Sequence, residues 1–311
     1  MSLVISSLTL IAIFGILSVS LGLLTGHLGI FSMAHAALFG IGAYTSAFLT
    51  VKLQWDVLPA LVVAVLVAGL AGAIMAIPSL RVTGDYFLVA SFALQVVASS
   101  VFQNWRSVTG GTDGIPGILR PSVGPLEFFT EGAFLVLCLI AVVVVTAFTW
   151  FIVHSPFGRM LHVIRDDEMV AATMGKPIAS TKVLVTVVSG GFAGAAGVLY
   201  GQYLMYISPG SFEVSTSVTI VTMIVVGGMT SVPGTLLGAA IITLIPEAFK
   251  FLQLPYSVAG PLQQVFFGLL LVVLMFVRPQ GMFGELSQGQ RWRRDRTNDA
   301  TESVEVGENA A

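Results

Sequence analysis

The sequence predicts an all-α polytopic membrane protein of about eight to ten transmembrane helices, some of them short or broken. Three features carry that prediction. Apolar residues make up 56% of the 311 residues and charged residues only 10%, against about 25% charged in an ordinary soluble domain. The charges are bunched: segment 154–182 holds seven and segment 285–311 holds ten. Apolar stretches near the ~20 residues a spanning helix needs recur through the rest of the chain. Mean hydropathy is +0.93. These features exclude a soluble enzyme, a nucleic-acid binder and a secreted disulfide scaffold. The formal net charge of −2 decides nothing, and the single cysteine, Cys138, lies in an apolar run with no intrachain partner.

Taken in order, the candidate spans are 3–24, 33–51, 57–78, 86–104, 131–153, 181–206, 215–230, 235–252 and 262–278. The first has no basic leading region and no small-residue cleavage site, so it is read as a retained helix. Pro78 and Pro279 close the third and the last. The second is short and follows a glycine-broken approach (Gly22, Gly26, Gly29), and Pro233 and Gly234 separate the short pair at 215–230 and 235–252. Half-helices or re-entrant segments fit such runs. Glycine-rich breaks before short apolar runs, at 22–50 and 227–252, hint at internal duplication.

Lysine and arginine set the sides. Arg159, Arg165, Lys176 and Lys182 crowd the 154–182 loop, and Arg278, Arg291, Arg293, Arg294 and Arg296 crowd the C-terminal end, so both are expected in the cytoplasm. The four spans between them agree with that parity. The 105–130 loop, with only Arg106 and Arg120, then faces outward, and five spans before residue 154 place the N-terminus outside. Trp55, Trp105 and Trp150 fall near helix ends, as interfacial anchors do. The polar tail 284–311 is expected to be disordered, with its arginines near anionic lipid.

Glycine also sits inside the spans. In SGGFAGAAGVLYG (189–201), Gly190 and Gly194 are four apart, as are Gly197 and Gly201, a spacing that lets helix backbones approach closely. Tight packing within one subunit is the favoured reading; a sliding or dimer interface is the sharper one. The polar residues within spans are His35, Gln95, Gln202, Glu247 and Lys250. Glu247 and Lys250 are three apart and suit a surface pair. A packed, hydrogen-bonded role suits His35 better than a proton relay. No carboxylate sits mid-helix in the first five spans, which argues against a proton-coupled carrier.

The hydrophilic stretch SPFGRMLHVIRDDEMVAATMGKP (155–177) predicts one short amphipathic helix over 159–174. Leu161, Ile164, Glu168 and Ala171 share a face, and Gly175 and Pro177 end the run. Its acidic triplet, Asp166 to Glu168, suits a groove on another protein better than an anionic lipid surface. Gly175-Lys176 lacks the upstream glycine and following Ser or Thr of a phosphate-binding loop, and there is no HExxH, paired-cysteine site or nucleophile elbow. Any ATP used is hydrolysed on another chain.

The stretch GHLGIFSMAHAALFGIGAYTSAFL (26–49) resembles the N-terminal signature of permease subunits of branched-chain amino acid ABC importers. LRVTGDYFLVASFALQ (80–95) and NWRSVTGGTDGI (104–115) look like the LivM-type subunit rather than its LivH-type partner. SPFGRMLHVIRDDEMVAATMG (155–175) is similar to the coupling loop, and ISPGSFEVSTSVTIVTMIVVGGMTSVPGTLLGAAI (207–241) to the C-terminal signature. The four motifs lie in the expected order over residues 1–283. The resemblance implies a fold related to the sugar and vitamin B12 importer permeases. It implies a complex in the bacterial cytoplasmic membrane with a second, LivH-type permease, two cytoplasmic ATPases and a periplasmic or lipid-tethered binding protein. ATP and magnesium would lie on the ATPases, with no cofactor in this chain.

For single residues, the resemblance implies an ATPase-coupling segment containing Arg165, Asp166, Asp167, Glu168, Ala171, Ala172 and Gly175. Many importer permeases carry E-A-A-x-x-x-G there; this chain departs from it, with Glu168 and Gly175 seven apart, Met169-Val170 where the alanines would be, and Ala171 and Ala172 following late. Thr109, Gly110, Gly111 and Gly114 would face the binding protein, although the glycines read alone as a turn. His35, Gly40, Gly42, Gln95, Gly227, Gly228 and Gly234 would line or gate a path shared with the partner permease. Import of urea or short-chain amides is the runner-up within the class. A stand-alone secondary carrier and a membrane-embedded enzyme are the alternatives outside it.

Overall fold

The computed structural model describes residues 2–82, 84–123, 126–127, 130–251, 262–263, 265–270 and 272–273. Eleven helices order them: α1 Ser2–Gly22, α2 His35–Ala47, α3 Val57–Ser79, α4 Asp85–Asn104, α5 Arg106–Thr109, α6 Glu131–His154, α7 Pro156–Asp166, α8 Glu168–Thr173, α9 Ile178–Leu204, α10 Val214–Gly227 and α11 Val232–Phe251. Four two-residue strands form two antiparallel ladders: β1 Ile115–Pro116 pairs with β4 Tyr206–Ile207, and β2 Ser122–Val123 with β3 Leu126–Glu127. Residues 262–263, 265–270 and 272–273 of the ninth expected span are helical. The tail 284–311 and the side chains of Glu247 and Lys250 lie outside the described residues.

Among the described residues, five helices are long and apolar enough to cross a membrane: Val4–His27, Val57–Ser79, Tyr86–Asn104, Glu131–His154 and Ile178–Leu204. The expected 33–51 span is shorter as a regular helix than its apolar run suggested. α2 has 13 residues, about 20 Å at 1.5 Å per residue, and a wide π-turn at Phe48–Lys52 continues it. A second π-turn, Leu23–His27, extends α1. The single amphipathic helix expected over 159–174 is in fact two. Asp167 leaves helical geometry, with φ −158° and ψ 110°, and its carboxylate caps the second by accepting from Met169 N at 2.8 Å and Val170 N at 3.2 Å. Ser155 caps α7 in the same way, with Pro156 at its first position. A side chain that competes for backbone N–H groups breaks a helix that the apolar spacing alone would continue.

Two sets of contacts define the ends of the bundle. At one end, Arg165 donates to the carbonyl of Gly26, and Lys182 Nζ donates to the carbonyl of Ser79 at 3.1 Å. α1, α3 and α6 run toward this end; α4 and α9 run away from it. At the other end, Lys52 Nζ donates to Ser107 O at 2.5 Å and Tyr206 Oη to Asp113 O at 3.1 Å. The first end carries the lysine- and arginine-rich 154–182 loop, the end expected from that bias to face the cytoplasm. The outer surfaces of α3, α4 and α6 are apolar, with Leu66, Leu70, Val97, Val143 and Phe151 exposed, as faces bordering hydrocarbon must be. Trp55, Trp105 and Trp150 are exposed near helix ends.

The interior is assembled through small residues. A Cβ on Gly42 would lie 2.3 Å from Gly194 Cα, and one on Gly197 would lie 2.1 Å from the carbonyl oxygen of Phe39, so α2 and α9 touch backbone to backbone. Gly72 and Gly190 do the same between α3 and α9. The 189–201 glycines therefore pack within the chain, as favoured from their spacing. Apolar side chains gain little by leaving lipid, so close van der Waals approach supplies much of the adhesion. An aromatic cluster fills the remaining space around α2: Phe39, Tyr44, Phe102, Tyr200 and Phe212 meet at centroid separations from 5.0 to 6.2 Å.

Candidate docking and translocation sites

Residues 29–34 run without regular structure between the extended end of α1 and α2, and Ile30, Ser32 and Ala34 are buried. Irregular backbone at membrane depth needs partners from the protein. Met33 N donates to Ser91 Oγ at 3.0 Å, Ala36 N to Ser217 Oγ at 3.2 Å and Ala37 N to Gln95 Oε1 at 2.8 Å. Gln95 also donates through Nε2 to the carbonyl of Phe212 at 2.8 Å. One amide thus ties the start of α2 to the turn that precedes α10. His35 is fully buried, with Nε2 2.9 Å from Ser20 Oγ. Ser20 itself donates to Ser189 O at 2.6 Å, so Nε2 of His35 carries the proton, and Nδ1 has no partner among the described residues.

The glycines expected along a path lie at close contacts inside this chain. A Cβ on Gly40 would press on Phe102 and Phe212. Gly227 lies against the Gly234 carbonyl, where an added Cβ would come within 2.0 Å. Gly228 breaks the chain at φ +103°. The two glycine-rich breaks meet, because a Cβ on Gly26 would fall 1.8 Å from the carbonyl oxygen of Met229. Gln95 and His35 stood out in the sequence as polar groups in apolar spans. Ser20, Ser91, Ser189 and Ser217 did not, because serine occurs in membrane helices without marking a site.

At the lysine- and arginine-rich end, α7 and α8 lie beneath the bundle. Leu161, Ile164 and Ala171 pack into a cluster with Leu23, Leu24, Leu28, Phe87 and Val185. Arg165 reaches under α1, and its CH₂ stem covers Gly29. Half-buried His162 stands edge-on to His27 at 5.4 Å. Burial holds the His162 pKa below its ordinary 6.5, the Arg165 charge lowers it further, and Asp166 opposes them. Asp166, Asp167 and Ala172 are exposed. Gly175, at φ +70°, turns the chain out of α8 with open space around it. Glu168 does not lie on the buried face with Leu161 and Ile164; it pairs with Lys182 at 2.6 Å. The sequence marked Lys182 only as a sidedness charge. The outer side of α8 is apolar and uncovered: Met169 is 78% exposed, Met174 60% and Val170 49%.

The outward loop is stapled by its own backbone. Thr109 is buried and donates to Phe102 O and Trp105 O, each at 2.8 Å. Gly110, Gly111 and Gly114 all have positive φ, and a Cβ on Gly114 would meet the Ile207 carbonyl at 2.1 Å. The glycines form the turn expected of them, and β1 then pairs with β4.

A bundle of apolar helices, interrupted at depth, with a capped helix pair beneath it, defines a multi-pass membrane protein. Residues 3–275 match the family described as branched-chain amino acid transport system / permease component. The chain belongs to that family. It is 29% identical over 300 residues, 88% of this chain and 68% of the relative, to the high-affinity branched-chain amino acid transport system permease protein LivM of Escherichia coli K12. It is 24% identical over 237 residues, 73% of this chain and 68% of the relative, to the probable LivM protein of Methanocaldococcus jannaschii. Similarity extends to LivH of Salmonella typhimurium, at 26% over 221 residues, 66% of this chain and 71% of the relative. No solved structure matches the chain.

Proposed function

We propose that this chain is a translocation subunit of an ATP-driven importer of branched-chain amino acids, working beside a LivH-type permease in a bacterial cytoplasmic membrane. Two ATPase chains supply the energy and a binding protein delivers the solute to the outer loops. The family assignment supports the permease role. The names of the LivM relatives support the solute.

The observation that carries the coupling role is α8. It is a six-residue capped helix on the side where arginine and lysine concentrate, with one face packed under the bundle and Met169, Val170 and Met174 bare. An ATPase groove that covers those side chains gains apolar burial, at roughly 25 cal/mol per Å². Closure of the ATPases then displaces α8 and, through Leu161, Ile164 and Arg165, the end of α1. Replacing Met169 and Val170 with aspartate tests this. Both side chains are exposed, so membrane insertion is retained while ATP-dependent uptake and stimulated ATPase activity fall at least tenfold. Full uptake by the double variant would remove α8 from the coupling path.

A further inference from the structure

A cavity of about 320 Å³ opens at the cytoplasmic end between the α3–α4 connection, the irregular segment after α1, and the start of α9. Its walls are of two kinds. Ile30, Phe31, Val82, Phe87 and Leu88 form an apolar side, and Glu168 and Lys182 form a charged one. The volume lies at the lower end of the range of small-molecule sites, about 300–1,000 Å³.

The charged wall keeps unused capacity. The Lys182 side chain is 4% exposed, and two of its three N–H donors meet acceptors, Glu168 Oε1 at 2.6 Å and Ser79 O at 3.1 Å. Glu168 has a second carboxylate oxygen that no described group engages. A neutral apolar ligand would leave both unmet, and a simple cation or anion would use only one. A molecule with an ammonium and a carboxylate on one carbon satisfies both at once. Its ammonium donates to Glu168, its carboxylate accepts from Lys182, and the four charges alternate in sign. An aliphatic side chain on the same carbon then lies against Leu88, Val82 and Phe87.

We propose that this cavity binds a hydrophobic α-amino acid as its zwitterion from the cytoplasmic side, and that occupancy slows import by fastening α8 to α3 and α9. Leucine as the probe, and the feedback on import, rest on the import reading above. The charge pattern of the cavity does not.

The test is equilibrium binding of radiolabelled leucine to the full chain, with its partner subunits, in lipid nanodiscs. Saturable binding is expected. Leu88→Trp, which fills the apolar side from a partly exposed position, weakens it at least tenfold, and Val82→Trp does the same. 4-Methylpentanoate, leucine without the ammonium, and isoamylamine, leucine without the carboxylate, compete at least tenfold more weakly than leucine. No saturable binding, binding unchanged in both tryptophan variants, or equal competition by isoamylamine would overturn the site. In proteoliposomes, leucine preloaded on the cytoplasmic side lowers the initial uptake of the wild type several-fold relative to empty vesicles. The same ratio stays near one in Leu88→Trp. An unchanged ratio in the wild type would overturn the feedback. A complex that imports leucine but does not bind it in this cavity overturns the site alone. A complex that binds leucine here but imports only another solute overturns the import reading alone.

Discussion

Gly42 and Gly132 give opposite expectations from the same substitution class. Gly42 has the backbone of Gly194 where a side chain would go, whereas nothing lies within 4 Å of a Cβ on Gly132. Gly42→Val forces α2 and α9 apart at about 1–3 kcal/mol and lowers the thermal midpoint in detergent. Gly132→Ala leaves the midpoint unchanged or raises it, by up to about 1 kcal/mol. Gln95→Leu keeps the volume but removes the amide's bonds to Ala37 N–H and the Phe212 carbonyl; Ala34 O and Ser99 Oγ still reach those groups at 3.1 and 3.4 Å, so the cost is about 0.5–1.5 kcal/mol for each bond lost. The same melting measurement checks it. His162 adds a pH dependence. Its folded pKa lies below the ordinary 6.5, so the unfolded chain takes up the proton first as pH falls. Its contribution to stability is therefore complete above about 6.5 and lost below it. Its charged and titratable neighbours are His27, Arg165 and Asp166. The midpoint is expected to drop between about pH 7.5 and 5.5, and to drop less in His162→Gln.

Among the helices, the long spans were legible because twenty-odd apolar residues leave the backbone no other way to satisfy itself in lipid. α3, α4 and α6 fall within one residue of their expected limits. The broken elements were legible as breaks but not as geometry. Gly26, Gly29 and Gly228 announced interruptions, yet only the fold reveals that Gly26 lies against Met229 and that Gln95 bridges two helix starts. Those partners are far apart in sequence, and local periodicity carries no information about them. The split at Asp167 was missed for a local reason. Apolar spacing continued smoothly through 159–174, and the capping preference of aspartate outweighed it. Asp167→Ala removes the cap at about 1 kcal/mol. It is expected to loosen α8, read as faster proteolysis at Lys176 in inside-out vesicles.

For the bundle as a unit, sidedness follows from charge and is carried by contacts. The end where Arg165 meets Gly26 and Lys182 meets Ser79 is the lysine- and arginine-rich end. Thr112→Cys and Lys176→Cys, both at exposed positions, are expected to react with an impermeant maleimide from opposite sides of the membrane. Cys138, buried in α6, gives a low background. Labelling of both from one side would refute the arrangement. The expected solute path was the least legible feature. Its candidate residues are packed against or hydrogen-bonded to other groups inside this chain, and a path shared with a second permease is written in two sequences rather than one.

The decisive measurement is transport by the reconstituted system. This chain, its LivH-type partner, both ATPases and the binding protein are placed in liposomes, and uptake of leucine is compared with uptake of urea. The predicted result is leucine uptake that requires ATP and every component. Uptake of urea without leucine would contradict the assigned solute, and uptake by this chain alone without ATP would contradict the importer itself.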